Sequence, residues 1–191
     1  MEGKKDAQVL GERKKALEEQ FFARQEKELR ERVRREAESK ARRQALAEAS
    51  GIRDEAVLDH LASLDLDGET VAALSLVPLV EVAWADGTLH DNEREAVLRA
   101  ARESGVAPDT AAGALLESWL ETRPDAELLT AWEGYVEALV AGLDGAERQA
   151  LRHELLDRAR AVAESAGGFL GMGKVSDAET AMLARLERAF A

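Results

Sequence analysis

Four carboxylates stand at related corners of this chain: Asp86 and Glu93 in its middle, and Asp177 and Glu179 near its end. Carboxylate oxygens brought to one place are the donors that a hard divalent cation such as Ca²⁺ or Mg²⁺ requires, so these four are the candidate metal ligands. They belong to a sequence that half repeats itself. The first copy reads Val82-Ala83-Trp84-Ala85-Asp86-Gly87, then Thr88-Leu89-His90-Asp91-Asn92-Glu93. The second reads Val162-Ala163-Glu164-Ser165-Ala166-Gly167, then a glycine-rich insert, then Lys174-Val175-Ser176-Asp177-Ala178-Glu179. Each copy predicts a helix end, a glycine turn, one apolar residue and an acidic start to the next helix. The same acids have a second use. Ser176 with Glu179 spells a capping box, Asp144 with Glu147 does similar work, and His90 with Glu93 is a weaker version. Asp86 has no counterpart, since Ala166 and Met172 precede the first and last glycines of the second copy. A cation that wants six or more oxygens would lose a ligand there.

Other patterns fall short of chemistry. Asp86 to Glu93 matches the second half of a calcium-binding helix–loop–helix, but the first-half ligand positions fall on Val82 and Trp84. Gly168 to Lys174 has phosphate-loop spacing, yet Val175 stands where the Mg²⁺-binding hydroxyl belongs and a helix precedes it. Phe169, Leu170 and Met172 of that segment could fill an apolar gap, or its glycines could make a docking loop. His153-Glu154-Leu155-Leu156-Asp157 has Asp where a zinc protease needs its second His. There is no Cys, which excludes disulfides and thiol chemistry. No nucleophile stands beside a base, so the chain reads as a non-enzyme with no catalytic residue. Trp84, Trp119 and Trp132 occupy apolar helical positions and are expected in a core. Glu81, the one charge in an apolar run, is expected at an exposed edge.

The elements that must position these residues are helical throughout. Residues 1–50 lack Pro, have no Gly after Gly11 and are rich in Glu, Arg, Lys, Gln and Ala, which predicts one long charged helix. Its apolar residues form a thin seam with heptad-like steps, Leu10, Leu17 and Phe21, then Phe22, Leu29 and Val33. Phe21, Phe22, Leu29 and Val33 are the candidate partner-binding residues, through which the helix could pair with a second copy; a solvated stalk is the plainer use. Residues 51–191 carry apolar residues at helical spacing in successive segments and no sustained period-two alternation, which predicts an all-α domain. Val71 to Ala85 reads as its buried central helix, begun or kinked at Pro78.

Charge divides the chain at the same place. Residues 1–50 hold 14 Lys/Arg against 11 Asp/Glu, a net of +3, whereas residues 51–191 hold 12 against 27, a net of −15. So acidic a body repels phosphate backbones, which argues against nucleic acid as a partner. The charged start, with no apolar stretch behind it, lacks the form of a secretory signal, and no run is long and apolar enough to span a bilayer. A cytoplasmic protein is expected, with peripheral membrane association left open.

The string Val80-Glu81-Val82-Ala83-Trp84-Ala85-Asp86-Gly87-Thr88-Leu89-His90-Asp91-Asn92-Glu93 resembles the signature of the tellurite-resistance TerB-like family, and Gly173-Lys174-Val175-Ser176-Asp177-Ala178-Glu179 resembles that family's second copy. The resemblance covers roughly residues 74–190. It implies an all-α TerB-like helical bundle of internally duplicated, pseudo-twofold helix pairs, to which the long N-terminal helix is an addition. It also implies a non-enzymatic module associated with stress and metal resistance. Such a module binds a protein partner, with weak divalent-metal binding where its acidic corners face one another. Two alternatives stand beside it. One is a structural scaffold dimerising through the N-terminal helix. The other is a helical inhibitor of another enzyme, suggested by the charged segment Arg13 to Phe21.

Overall fold

The computed structural model describes the backbone over residues 2–166 and 175–191, and side chains over residues 21–165 and 175–191. The seam residues Leu10 and Leu17 and the glycine-rich stretch from Gly168 to Lys174 therefore lie outside the described side chains. Among the described residues the chain is all-helical, with no strand. No helix there is long and apolar enough to cross a membrane. Backbone packing divides the chain into two units, Met1–Ala41 and Arg42–Ala191.

The first unit is most of α1, a helix over Glu2–Ser50. Side chains one turn apart hold each other along its surface. Arg30 donates to Glu26 at 2.6 Å and Arg34 to Glu38 at 2.7 Å. Lys27 lies 3.9 Å from Glu31, and Arg32 lies 4.0 Å from Glu36. Such exposed pairs each contribute a few tenths of a kcal/mol, so they support the helix together rather than singly.

The second unit begins inside the last turns of α1. Leu46 is fully buried, and Arg43 pairs with Asp59 at 3.2 Å. The helix stops at Gly51, whose φ of 74° is the left-handed conformation that ends helices and that glycine adopts without a Cβ penalty. The Gly51 N–H donates to the Ala47 carbonyl at 2.9 Å, closing the last turn. Asp54 then caps α2 (Glu55–Ser63), its carboxylate accepting from the Ala56 and Val57 N–H groups.

The predicted central helix arrives in two pieces. Val71–Leu76 winds as a 3₁₀ segment, and α3 covers only Val77–Ala83. Pro78, which has no N–H to donate, stands in the first turn of α3, where that donor has no intrahelical partner to lose. Every residue of α3 is buried. Around it stand α4 (Asp91–Glu103), α6 (Ala126–Val140), α7 (Gly145–Ala166) and α8 (Asp177–Arg188), each in direct contact with it. Helix α5 (Ala111–Glu121) packs on the 3₁₀ segment, and α2 packs on α6. The largest fully buried side chain is Trp132 of α6, which meets Phe190 edge-on at 6.4 Å between ring centroids. Trp119 is also buried, and Trp84 is half-buried with its indole N–H donating to the Trp119 carbonyl at 2.9 Å.

Glu81 departs from the sequence expectation. It is 5% exposed, inside the core rather than at an edge, and its Oε1 has no hydrogen-bond partner among the described residues. The apolar residues on both sides of it commit that whole short helix to the interior, and the acid is carried in with them.

Helix α5 runs so close to the turn before it that only glycine fits at position 113. A Cβ there would fall 2.1 Å from the Ala107 carbonyl oxygen and 2.9 Å from the Pro108 Cα, both backbone atoms that cannot swing aside. Gly113→Ala is expected to destabilise the fold by about 1–3 kcal/mol through this overlap, despite alanine's better helix propensity. Chemical denaturation of the two chains measures it, and equal midpoints would show that the turn yields freely.

Candidate functional site

The first corner is built on the exit of α3. The chain turns through Gly87, at a φ of 91°, and the Gly87 N–H donates to the Trp84 carbonyl at 3.0 Å. Asp86 Oδ1 accepts from the Thr88 N–H at 2.9 Å, and Oδ2 lies 3.9 Å from His90 Nε2. Asp86 therefore shapes its own turn, with half of its side chain in solvent. His90 begins α4, and its N–H donates to Glu93 Oε2 at 2.8 Å.

The second corner repeats this device at α8. Ser176 Oγ accepts from the Glu179 N–H at 3.2 Å, while the Ser176 N–H donates to Glu179 Oε2 at 2.5 Å. Asp177 is exposed in the first turn. Between the corners lies the end of α7, where Ser165 Oγ sits 3.3 Å from the Asn92 carbonyl at the start of α4. A third reciprocal cap, Asp144 with Glu147, starts α7: the Asp144 N–H donates to Glu147 at 2.9 Å. Glu147 is exposed, so reciprocal capping does not require burial.

What distinguishes the corner acids is that Glu93 and Glu179 are 2% and 5% exposed. Both are brought inside, and the charge of Glu179 reaches Glu93. Burial is the main cause that pushes the Glu93 pKa above the usual carboxylate range. The charges of Glu179 and Asp86 add to it, and the hydrogen bond from the His90 N–H pulls the other way. Among the described residues, Glu179 Oε1 is buried without a hydrogen-bond partner. The four candidate ligands thus separate into two buried capping acids, Glu93 and Glu179, and two exposed or half-exposed acids, Asp86 and Asp177. Among the described residues no group of three or more His, Asp or Glu side chains is placed to hold a metal ion. One oxygen of Glu93 and one of Glu179 are engaged by backbone N–H groups, which leaves the second oxygen of each and the two outer acids as the donors at these corners.

A charged cluster around the buried Glu81 went unnoticed in the sequence. Burial raises the pKa of Glu81, against the charges of Arg123 and Arg185, which lower it, and with that of Glu133, which raises it. Arg185 of α8 is itself engaged by Glu133 of α6 through two hydrogen bonds, at 2.7 and 3.0 Å. The available signal was an acid inside an unbroken apolar run. It identifies a buried carboxylate only once the run is known to be enclosed on all sides.

The candidate partner residues sit apart, on the first unit. Phe21, Phe22, Leu29 and Val33 are 58%, 65%, 50% and 55% exposed. The two phenylalanine rings meet edge-on at 5.9 Å between centroids. These are the large apolar side chains left in solvent among the described residues.

No family model, curated protein or solved structure matches the chain.

Glu81 and Glu93 share a pH signature. An acid whose pKa is raised by folding binds its proton more tightly in the native state. Its favourable contribution is complete below the ordinary glutamate range and is lost as pH rises through the shifted pKa. Glutamine at position 93 keeps an acceptor for capping, and at either position it never ionises. Glu81→Gln and Glu93→Gln are therefore expected to gain melting temperature relative to the parent as pH is raised from about 4 to about 7. Thermal melts across that range check it, and a relative loss on raising the pH would show that both acids are held as favourable charges.

Proposed function

We propose that this chain is a non-enzymatic, TerB-like module of stress or metal resistance that works by binding a protein partner. Its N-terminal helix presents the binding face and its helical body serves as the scaffold. The observation that carries the reading is the set of four large apolar side chains, Phe21, Phe22, Leu29 and Val33, held half or more in solvent on a helix whose ionic groups pair with one another. Ion pairs of that kind leave the charged rim locally satisfied. The apolar residues are then what remains to be covered, as at the centre of a protein interface.

The TerB-like part of the reading draws support from the matching corners. Both use a serine or histidine N-cap with a glutamate three residues later, both glutamates are buried, and the end of α7 lies against the start of α4. This is the arrangement expected of a duplicated helix pair. The reading extends to weak contact with calcium or magnesium at Asp86, Glu93, Asp177 and Glu179, supported by the buried oxygen of Glu179 that has no hydrogen-bond partner among the described residues.

Used as bait, the full chain is expected to retain a protein partner that a Phe22→Glu/Leu29→Glu chain loses, while the melting temperature of the body stays the same. Equal retention by both chains would remove the arm from the function. Calorimetry with Ca²⁺ and Mg²⁺ tests the metal contact separately. A weak heat that Asp86→Asn diminishes is expected, and no heat or melting shift at about millimolar cation would end that part of the reading.

A further inference from the structure

We propose that Glu81 and Arg123 form a proton-controlled latch. With Glu81 neutral the Arg123 guanidinium stands in solvent; with Glu81 ionised it folds onto the Glu81 carboxylate and ties the turn between α5 and α6 to α3.

The acid is the fixed half. Glu81 is 5% exposed, and its Oε1 has no hydrogen-bond partner among the described residues. A neutral carboxyl tolerates that position at the cost of an unmade bond, whereas an anion there is both poorly solvated and unpaired. Helix α3 is buried along its whole length and offers no exposed side to which the carboxylate could turn. Ionisation of Glu81 therefore demands a cation.

Three charged groups act on Glu81: Arg123 from the turn before α6, Arg185 from α8 and Glu133 from α6. Among the described residues, the other elements against α3, which are α4, α7 and the 3₁₀ segment, contribute none. Of the two cations, Arg185 is already committed. It donates to Glu133 at 2.7 and 3.0 Å, so recruiting it would strip that carboxylate of its own partner. Arg123 is exposed and has no ion pair among the described residues. Its charge also acts on Glu81 more strongly than that of Arg185. Moving it costs side-chain freedom alone.

The turn keeps Arg123 within reach. The Thr122 N–H donates to the Ser118 carbonyl at 3.0 Å, closing α5, and Asp125 Oδ1 accepts from the Glu127 N–H at 3.0 Å, opening α6. Between these pins Pro124 fixes its own φ and holds the residue before it out of the helical region. The backbone at Arg123 is thereby anchored in both states, and the long side chain does the moving. The nearby acids Glu121, Asp125 and Glu127 are exposed, so water and salt screen their pull. A desolvated carboxylate attracts more strongly once it is charged.

Burial raises the Glu81 pKa, so the latch closes above the ordinary glutamate range. Arg123 favours the anion and lowers that pKa. Its stabilising effect is thus absent while Glu81 is protonated and present once Glu81 ionises. In acid the turn shows a free guanidinium within residues 51–191, whose net charge is −15; at higher pH that cation is withdrawn.

Urea denaturation of the parent, Arg123→Gln, Glu81→Gln and the double variant, between about pH 4 and about pH 8, tests the latch. Arg123→Gln is expected to match the parent at the acidic end and to lose about threefold or more in its folding equilibrium constant at the basic end. In the Glu81→Gln background the same substitution is expected to cost the same at both ends, which separates pairing from the general loss of a positive charge. By nuclear magnetic resonance, the Arg123 Nε–H of the parent is expected to be protected from solvent exchange at the basic end, and that of Glu81→Gln to exchange freely. A pH-dependent loss of equal size in both backgrounds overturns the latch, as does an Nε–H that exchanges freely in the parent. So does a loss that grows with pH in Arg185→Gln while Arg123→Gln stays silent, because the recruited cation is then Arg185.

Discussion

The body is organised by the enclosure of one short helix. Seven consecutive residues, Val77 to Ala83, are buried together, so their helix has no solvent side on which to place a polar group. A helix closed on every face needs neighbours in several directions, and α4, α6, α7 and α8 supply them. Two features follow. Glu81 is drawn into the interior by the commitment of the apolar residues on either side. The exit of α3 becomes a fixed point, with the half-buried Trp84 held at 2.9 Å from the Trp119 carbonyl, from which Asp86 and Gly87 redirect the chain into α4.

The corners show how one residue type can hold two roles until packing separates them. Glu93, Glu147 and Glu179 all cap their helices by accepting from the N–H of the residue three positions earlier. Glu147 does so in solvent, where the bond is a local convenience. Glu93 and Glu179 do so inside the protein, where burial raises the Glu93 pKa and the charge of Glu179 adds to it. The capping geometry is therefore independent of burial. Burial is what separates the two corner acids from Glu147.

Much of this was legible in the residues. Period and composition gave the long charged helix and the all-helical body, because Glu, Arg, Lys and Ala without Pro admit little else and because no stretch alternates at period two. The capping pairs were readable from serine or aspartate followed three residues later by glutamate. The break between the 3₁₀ segment and α3 was half visible in Pro78. The burial of Glu81 and its setting among Arg123, Glu133 and Arg185 were not visible, since those residues come from separate elements that only tertiary packing assembles. Nor could sequence separate the inner acids from the outer ones at the corners. Asp86, Glu93, Asp177 and Glu179 read alike as carboxylates, and only the depth of each in the fold distinguishes them.

The ladder along α1 has a consequence for length. Each bridge, such as Arg30 to Glu26 or Arg34 to Glu38, joins residues a single turn apart, so this part of the helix is supported turn by turn rather than by a core. A helix built in that way can act as a ruler. Adding seven residues would lengthen it by roughly 10 Å and return the apolar stripe to within about 20° of its former direction, whereas adding five would lengthen it by roughly 7.5 Å and swing the stripe far off line. Reach and aim are thus separately adjustable in this element, and whole heptads are the increments in which its span can change while its face keeps pointing the same way.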